Sequence, residues 1–202
     1  MTLVAAYRTL GVPVLLGDFL ITAASRKRVG LKKKVHRLQP NLVVGWTGHQ
    51  IAAQLVLTAL HGRFREERPT KHTLEQFLRS FPIADLGALS VELVGWIYDD
   101  QPHCFRWWSD WPHEPFYGDH HLAGSGAGLM AKLIGDGAAQ GRVPEAIRDD
   151  AVEGHAIKET LWDASRLMAD EVGQRQNQAA GYGYAYEVLA SFCRETGFRE
   201  RI

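Results

Sequence analysis

Short apolar runs at the start of the chain alternate with turn-forming residues and predict two β-hairpins. The run "TLVAAYR" is separated from "VPVLLGDFLIT" by Gly11, and "KKVHRL" is separated from "NLVVGWTG" by Gln39, Pro40 and Asn41. Glycine, proline and asparagine between apolar runs are typical of hairpin turns. We therefore predict four strands, paired in chain order, before the first helix.

The pattern changes to that of a helix between residue 49 and about residue 67. Gln50, Gln54 and Thr58 recur every four positions, and apolar residues fill nearly all the positions between them. This narrow polar stripe leaves the helix with more apolar surface than one sheet face can cover. We therefore expect a second copy of the chain to cover part of it.

The rest of the chain predicts a short helix, two strands, two longer helices and a closing strand. The short helix spans residues 73–81, and strands follow in "ALSVELVGWIYDD" and "HCFRWWSDW". The segment "HHLAGSGAGLMAKLIGDGA" runs from a strand through a glycine-rich bend into a helix. A further helix spans residues 156–170, and a strand in "AGYGYAYEVLA" closes the chain. Hairpins with helices grouped between them favour antiparallel sheets covered by helix layers, an α+β sandwich rather than a doubly wound α/β fold. We predict a single domain over residues 1–202.

Charge and cysteine content exclude several classes of function. Lys plus Arg and Asp plus Glu both number 23, so no broad attraction to nucleic acid or anionic lipid is expected, apart from the basic run at residues 25–34. Cys104 and Cys193 are too few for a disulfide scaffold, and no segment reaches the roughly 18 to 20 apolar residues of a membrane span. The histidines lack zinc-site spacing. We expect a cytoplasmic protein with no cofactor, metal, nucleic-acid or membrane partner.

Thr2, directly after Met1, is a candidate nucleophile. A hydroxyl nucleophile needs a base, and the α-amine of a first-residue threonine, with a pKa of about 7.7–8.0, could supply one. A nearby lysine lowers the pKa of such an amine, and an aspartate can hold the lysine in place. Thr2, Asp18 and Lys34 follow one another at equal intervals of 16 residues.

Five motifs in this chain give it a resemblance to a known family. "TLVAAYR" and "GDFLIT" are followed by "KKKVHRL", then "VVGWTG" and finally "AGSGAG". In this order the chain resembles the proteasome β-subunit and HslV family of N-terminal-nucleophile hydrolases. The resemblance implies a four-layer α-β-β-α sandwich of two antiparallel sheets and a threonine endopeptidase activity on peptides or unfolded proteins. It also implies a closed homo-oligomeric assembly of two stacked rings, and it leaves open the ring size and whether an ATPase unfoldase is a partner.

The resemblance also implies roles for particular residues. Thr2 would be the nucleophile after removal of Met1, with its own α-amine as base. Lys34 would lower the pKa of that amine, and Asp18 would orient Lys34.

Three further positions follow from the same resemblance. The backbone N–H of Gly45 would donate to the oxyanion, Ser125 would hydrogen bond near the amine, and Asp170 would be the family's later acidic residue. The pattern departs from the family at Gly173, where a second serine is usual, and at His49, where many relatives carry aspartate. The Trp-rich segment 105–116 has no family counterpart and could line a subunit contact, a chamber wall or the core.

Each of these positions also has a purely structural interpretation. Thr2 could simply begin a strand, Asp18 could be a turn residue after Gly17, and residues 32–34 could be a solvated basic face. The "AGSGAG" segment could be only a bend or an anion-binding loop. Two other functions are compatible with the fold: a non-catalytic ring or scaffold subunit, and an amidase that acts on small molecules.

Overall fold

The computed structural model describes residues 2–9, 11–18, 20–22, 28–128, 130–131, 187–193 and 197–201. The strands in this part of the chain are β1 (Val4–Thr9), β2 (Val12–Asp18), β3 (Leu20–Thr22), β4 (Arg28–Leu31), β5 (Val35–Gln39), β6 (Leu42–Gly48), β7 (Val91–Tyr98), β8 (Pro102–Trp108), β9 (Trp111–Gly118), β10 (His121–Ala123), β11 (Glu187–Cys193) and β12 (Gly197–Arg201). The helices are α1 (Gln50–Arg63), α2 (Lys71–Ser80) and a 3₁₀ turn at Ile83–Leu86.

Two five-stranded antiparallel sheets organise the described residues. The first sheet has the order β10-β1-β2-β11-β12, the second has the order β5-β6-β7-β8-β9, and β3 pairs with β4 separately. The pairing of both predicted hairpins is confirmed, because β1 pairs with β2 and β5 pairs with β6. The predicted strand at residues 12–22 is divided into β2 and β3, so six strands rather than four precede α1. The protein therefore combines two antiparallel sheets with a small number of described helices, as an α+β sandwich requires.

The two sheets pack face to face, and the two helices cover the outer face of the second sheet. Residues buried between the sheets come from both of them, including Val4, Leu15, Val35, Val94, Trp96 and Phe198. The indole N–H of Trp96 donates to the carbonyl of Val14 at 2.9 Å and links the sheets. A separate apolar cluster lies between the second sheet and the helices, including Trp46, Ala53, Val56, Leu60, Leu74 and Trp107. These residues form three layers, and the predicted helix at residues 156–170 lies outside the described part of the chain.

Helix α1 is shorter than the sequence pattern indicated. His49 is its N-cap, and the Nδ1 atom accepts a hydrogen bond from the backbone N–H of Ile51 at 3.3 Å. The helix ends at Arg63 rather than near residue 67, because the buried Phe64 leaves the helical conformation and the charged residues 65–68 add nothing to the core. The predicted helix at residues 73–81 is α2, which begins two residues earlier behind a Thr70–Thr73 capping box.

The Trp-rich segment forms two strands where the sequence predicted one. β8 and β9 are joined at Ser109 and Asp110, and β9 is an edge strand of the second sheet. Trp107 is fully buried in the core, whereas Trp108 and Trp111 are exposed. The segment therefore contributes one tryptophan to the core and exposes two at the surface.

The end of the chain adds a strand that the sequence did not predict. The closing strand is confirmed only in part, since β11 begins at Glu187 and the preceding residues are outside the described ranges. β12 pairs with β11 and forms an edge of the first sheet. None of the helices within the described ranges combines the length and apolar character needed to cross a bilayer.

A half-buried histidine on β10 makes the stability of this fold dependent on pH. Burial, together with the positive charges of Arg106 and His120, lowers the pKa of His121 from 6.5 to about 4. Between these two pH values the unfolded chain binds a proton that the folded chain does not, so the free energy of unfolding falls as the pH drops from 6.5 to about 4. We expect the His121→Gln variant to lose less stability than the wild type over this range in urea titrations. Equal losses in the wild type and in His121→Gln would contradict this expectation, and His72→Gln, at an exposed position of α2, is the control.

Candidate functional site

Thr2, Asp18 and Lys34 meet in one hydrogen-bonded cluster where the two sheets come together. The Thr2 hydroxyl donates to Asp18 Oδ1 at 2.8 Å and accepts a hydrogen bond from Lys34 Nζ. Lys34 Nζ also forms an ion pair with the same carboxylate oxygen at 2.5 Å. The predicted convergence of these three side chains is confirmed, and the threonine hydroxyl lies between a cation and an anion.

The register of the first hairpin places Asp18 beside Thr2. Val4 pairs with Gly17, and the next positions continue the ladder, with the Asp18 N–H donating to the Leu3 carbonyl at 3.2 Å. The Leu3 N–H in turn donates to Asp18 Oδ1 at 3.1 Å. The interval of 16 residues is therefore the length of two strands and a tight turn at Gly11, whose φ of 80° favours glycine.

Two glycines allow the second sheet to approach the first next to this cluster. A Cβ atom on Gly17 would lie 2.7 Å from Val35 Cγ2, and one on Gly45 would lie 2.4 Å from Val4 Cγ1. Because real carbon atoms do not approach so closely, any side chain here would push the sheets apart. The close approach brings Lys34, which directly precedes β5, against Asp18 and Thr2.

Lys34 and Asp18 form a buried ion pair. Their side chains are 1% and 0% exposed, respectively. Burial lowers the pKa of Lys34 below 10.5, and the charge and hydrogen bond of Asp18 oppose this shift only in part. Asp18 Oδ1 accepts three hydrogen bonds, whereas Oδ2 is buried without a partner among the described residues. The cluster therefore holds a lysine that loses its proton more readily than a solvated one.

The glycine-rich bend after β10 holds the backbone of Thr2. The Thr2 N–H donates to Ser125 Oγ at 3.1 Å, and the Gly126 N–H donates to the Thr2 carbonyl at 3.2 Å. Gly124 has a φ of 88°, and a Cβ atom there would lie 2.2 Å from the Thr2 carbonyl oxygen. Ser125 therefore lies where it was predicted, beside the nitrogen of Thr2.

Gly45 does not lie where its predicted role requires, because its N–H faces the wrong strand. Along β6 the Trp46 N–H donates to the Lys34 carbonyl on the β5 side, whereas the His49 N–H donates to the Ser90 carbonyl on the β7 side. Since backbone groups alternate in direction along a strand, the odd-numbered Gly45 also points toward β7, where it pairs with Val94. Gly45 lacks a side chain because Val4 packs against the place that a Cβ atom would occupy.

Gly48, the other glycine of this motif, lies at the pocket that contains Thr2. The alternation directs its N–H to the same side as that of Trp46, past the start of β5. Its φ of 95° is the left-handed conformation that favours glycine. The sequence motif contained both glycines, and only the strand register distinguishes them.

A pocket of about 530 Å³ opens next to the cluster. Its wall includes Thr2, Lys34 and Ser125 together with Gly48 and the start of α1. His49 caps α1 at this wall. Asp170, the remaining predicted site residue, lies outside the described residues.

The described side chains offer a threonine hydroxyl held between a lysine that donates to it and a carboxylate that accepts from it. Within the described ranges, no three His, Cys, Asp or Glu side chains are grouped in a way that could hold a metal ion. Cys104 is buried, and burial raises the pKa of its thiol.

No protein-family model matches this chain, and the search of curated proteins found no match.

Proposed function

We propose that the chain is a threonine peptidase of the N-terminal-nucleophile class, and that Thr2 attacks the peptide carbonyl after Met1 is removed. The observation that carries the proposal is the Thr2 hydroxyl bonded at once to Lys34 and Asp18. A threonine that merely began a strand would need neither a buried lysine nor a buried aspartate. The resemblance to the proteasome β-subunit and HslV family, which rests on sequence motifs, supports the same reading.

The proposed reaction has two steps. The Thr2 hydroxyl transfers its proton to the free α-amine and its oxygen bonds to the substrate carbonyl carbon; collapse of this intermediate breaks the C–N bond, and the amine product leaves with the proton. Water then adds to the resulting ester and releases the acid product and free Thr2. Lys34 keeps the amine from holding its proton tightly, and Ser125 Oγ lies 3.1 Å from the nitrogen that would become this amine.

We assign oxyanion stabilisation to the backbone N–H of Gly48. A preorganised N–H that faces the reacting carbonyl is worth about 2.7–4 kcal/mol in comparable acyl-transfer sites. Gly48 lines the pocket of Thr2, and the alternation of backbone groups along β6 directs its N–H away from β7. This assignment replaces Gly45 in the predicted mechanism.

The proposed architecture is the four-layer α-β-β-α sandwich. Three layers are present among the described residues, with α1 and α2 on the outer face of the second sheet. We place the fourth, helical layer on the outer face of the first sheet, where it would cover the apolar residues of β1 and β2 that point away from the second sheet. Leu3, Ala5 and Leu16 are buried although they do not belong to the cluster between the sheets.

Two other functions remain as alternatives, and each has its own signature. A non-catalytic ring or scaffold subunit would keep Met1, so that its Thr2 would have no free amine. A small-molecule amidase would hydrolyse short amides and leave peptides and unfolded proteins intact. Intact mass, followed by hydrolysis of a fluorogenic peptide and of an unfolded protein such as casein, separates the three.

We further propose that the chain assembles into closed rings, because a monomer would leave several large apolar side chains exposed to water. Ile51 and Leu55 of α1 are exposed although the opposite face of that helix is buried, and Leu31, Trp108, Trp111 and Phe116 are exposed as well. Large exposed apolar side chains on one chain favour self-association, and identical subunits usually close with point-group symmetry.

The mass of the protein in solution tests the proposed assembly. Size-exclusion chromatography with light scattering should give on the order of a dozen subunits, and Leu55→Glu should shift the protein toward smaller species because the charge would be buried in the contact. Gln76→Glu, at an exposed position of α2, is the matched control and should leave the mass unchanged. A mass near 22.6 kDa for the wild type at micromolar concentration would refute the ring.

A further inference from the structure

A second pocket, which we call the basic pocket, lies between the β5 edge of the second sheet and helix α1. Its volume is about 530 Å³. Four basic side chains line it, namely Lys32, Lys33, His36 and His61. No aspartate or glutamate is among the described residues of its wall, and the apolar part of the wall is formed by Leu38, Trp46 and Leu57. The pocket therefore combines concentrated positive charge with an apolar surface.

The basic pocket adjoins the pocket that contains Thr2. Trp46 lines both pockets, and its indole N–H donates to the Lys33 carbonyl at 3.3 Å, which fixes the ring as a common wall. The polar stripe of α1 runs past both, with Gln50 at the Thr2 pocket and Gln54 at the basic pocket. Residues four apart on a helix are about 6 Å apart along its axis, so the two pockets are within one side chain's length of each other.

The wall chemistry selects one class of side chain. A carboxylate in the basic pocket would be attracted by the lysines, a neutral amide would gain little, and a cationic side chain would be repelled. The apolar wall suits a ligand with methylene groups behind its charge, because pockets of this kind combine apolar contact with a few polar anchors. Glutamate satisfies both conditions.

We propose that the basic pocket binds an acidic substrate side chain, on the residue that precedes the bond attacked by Thr2, so that the protein cleaves after glutamate. This inference rests on the proposed peptidase function, but the charge preference of the pocket does not depend on turnover. Lys32 and His61 make no ion pair with any described residue, which leaves both side chains available to a ligand.

The first experiment compares three fluorogenic peptides that differ only in the residue before the reporter amide: glutamate, glutamine or lysine. We expect kcat/KM for the glutamate peptide to exceed that for the glutamine peptide roughly tenfold or more, and the lysine peptide to be the poorest. The double variant Lys32→Gln/His61→Gln should lose this preference through a higher KM for the glutamate peptide alone. Arg65→Gln, which removes an exposed charge outside the pocket, is the matched control and should keep it.

The second experiment measures binding without turnover. Isothermal titration of Thr2→Ala with the uncleaved glutamate and glutamine peptides should show tighter binding of the glutamate peptide, again lost in the Lys32→Gln/His61→Gln background. Hydrolysis of all three peptides at equal rates, with equal binding, would overturn the acidic preference and leave the peptidase proposal standing. Preferential binding of the glutamate peptide with no hydrolysis of any peptide would support the basic pocket and refute the peptidase.

Discussion

Thr2→Ala is expected to abolish peptide hydrolysis while the protein stays folded. The variant lacks the hydroxyl that would bond to the substrate carbonyl, so kcat/KM should fall on the order of a thousandfold or more. The stability cost should be only about 1 kcal/mol, the usual net value of the lost hydrogen bonds. Initial rates on a fluorogenic peptide, with thermal unfolding of the same samples, measure both quantities.

Thr2→Ser is the matched control for this loss. Serine keeps a hydroxyl at the same position, where it can still accept from Lys34 and donate to Asp18. We expect it to retain measurable hydrolysis, so that the pair of variants distinguishes loss of the nucleophile from disturbance of the site. Full activity of Thr2→Ala would remove Thr2 from the mechanism.

Lys34→Met is expected to remove activity and also to destabilise the fold severely. The substitution leaves the carboxylate of Asp18 buried, at 0% exposure, without its cation. Breaking a buried ion pair by removing one partner typically costs about 3–5 kcal/mol. Urea titration should show this loss as a lower midpoint, and peptide hydrolysis should be undetectable.

A second substitution separates the two effects of Lys34→Met. In Lys34→Met/Asp18→Asn the buried negative charge is gone, while the asparagine oxygen can still accept the hydrogen bond from the Leu3 N–H. We expect this double variant to regain much of the lost stability and none of the activity, because the hydroxyl of Thr2 still lacks its lysine. Wild-type stability of the single variant, or activity in the double variant, would contradict the role assigned to the pair.

The strand pattern of the sequence predicted that Asp18 lies beside Thr2, because the β1–β2 hairpin fixes the distance between them. Once "TLVAAYR" and "VPVLLGDFLIT" are paired around Gly11, Asp18 falls opposite Leu3 and next to Thr2. The burial of Lys34 could not be predicted in the same way, because the residue precedes β5 and does not follow strand alternation. Its position depends on the approach of the second sheet, which Gly17 and Gly45 permit.

The two errors at the sheet have separate physical causes. Gly45 and Gly48 lie in one motif, and only the register of β6 against β5 and β7 decides which N–H faces the pocket. β9 was not predicted because Pro112 and Pro115 weaken its strand pattern. Proline lacks an N–H and is tolerated in an edge strand, which is where β9 lies.

The most direct test of the central claim is the intact mass of the purified protein before and after reaction with a peptide-like β-lactone, an electrophile that acylates hydroxyl nucleophiles. We predict a protein lighter than the full sequence by one methionine, and a single ester adduct that tandem mass spectrometry places on Thr2. Retention of Met1, or an adduct confined to another residue, would contradict Thr2 as an N-terminal nucleophile.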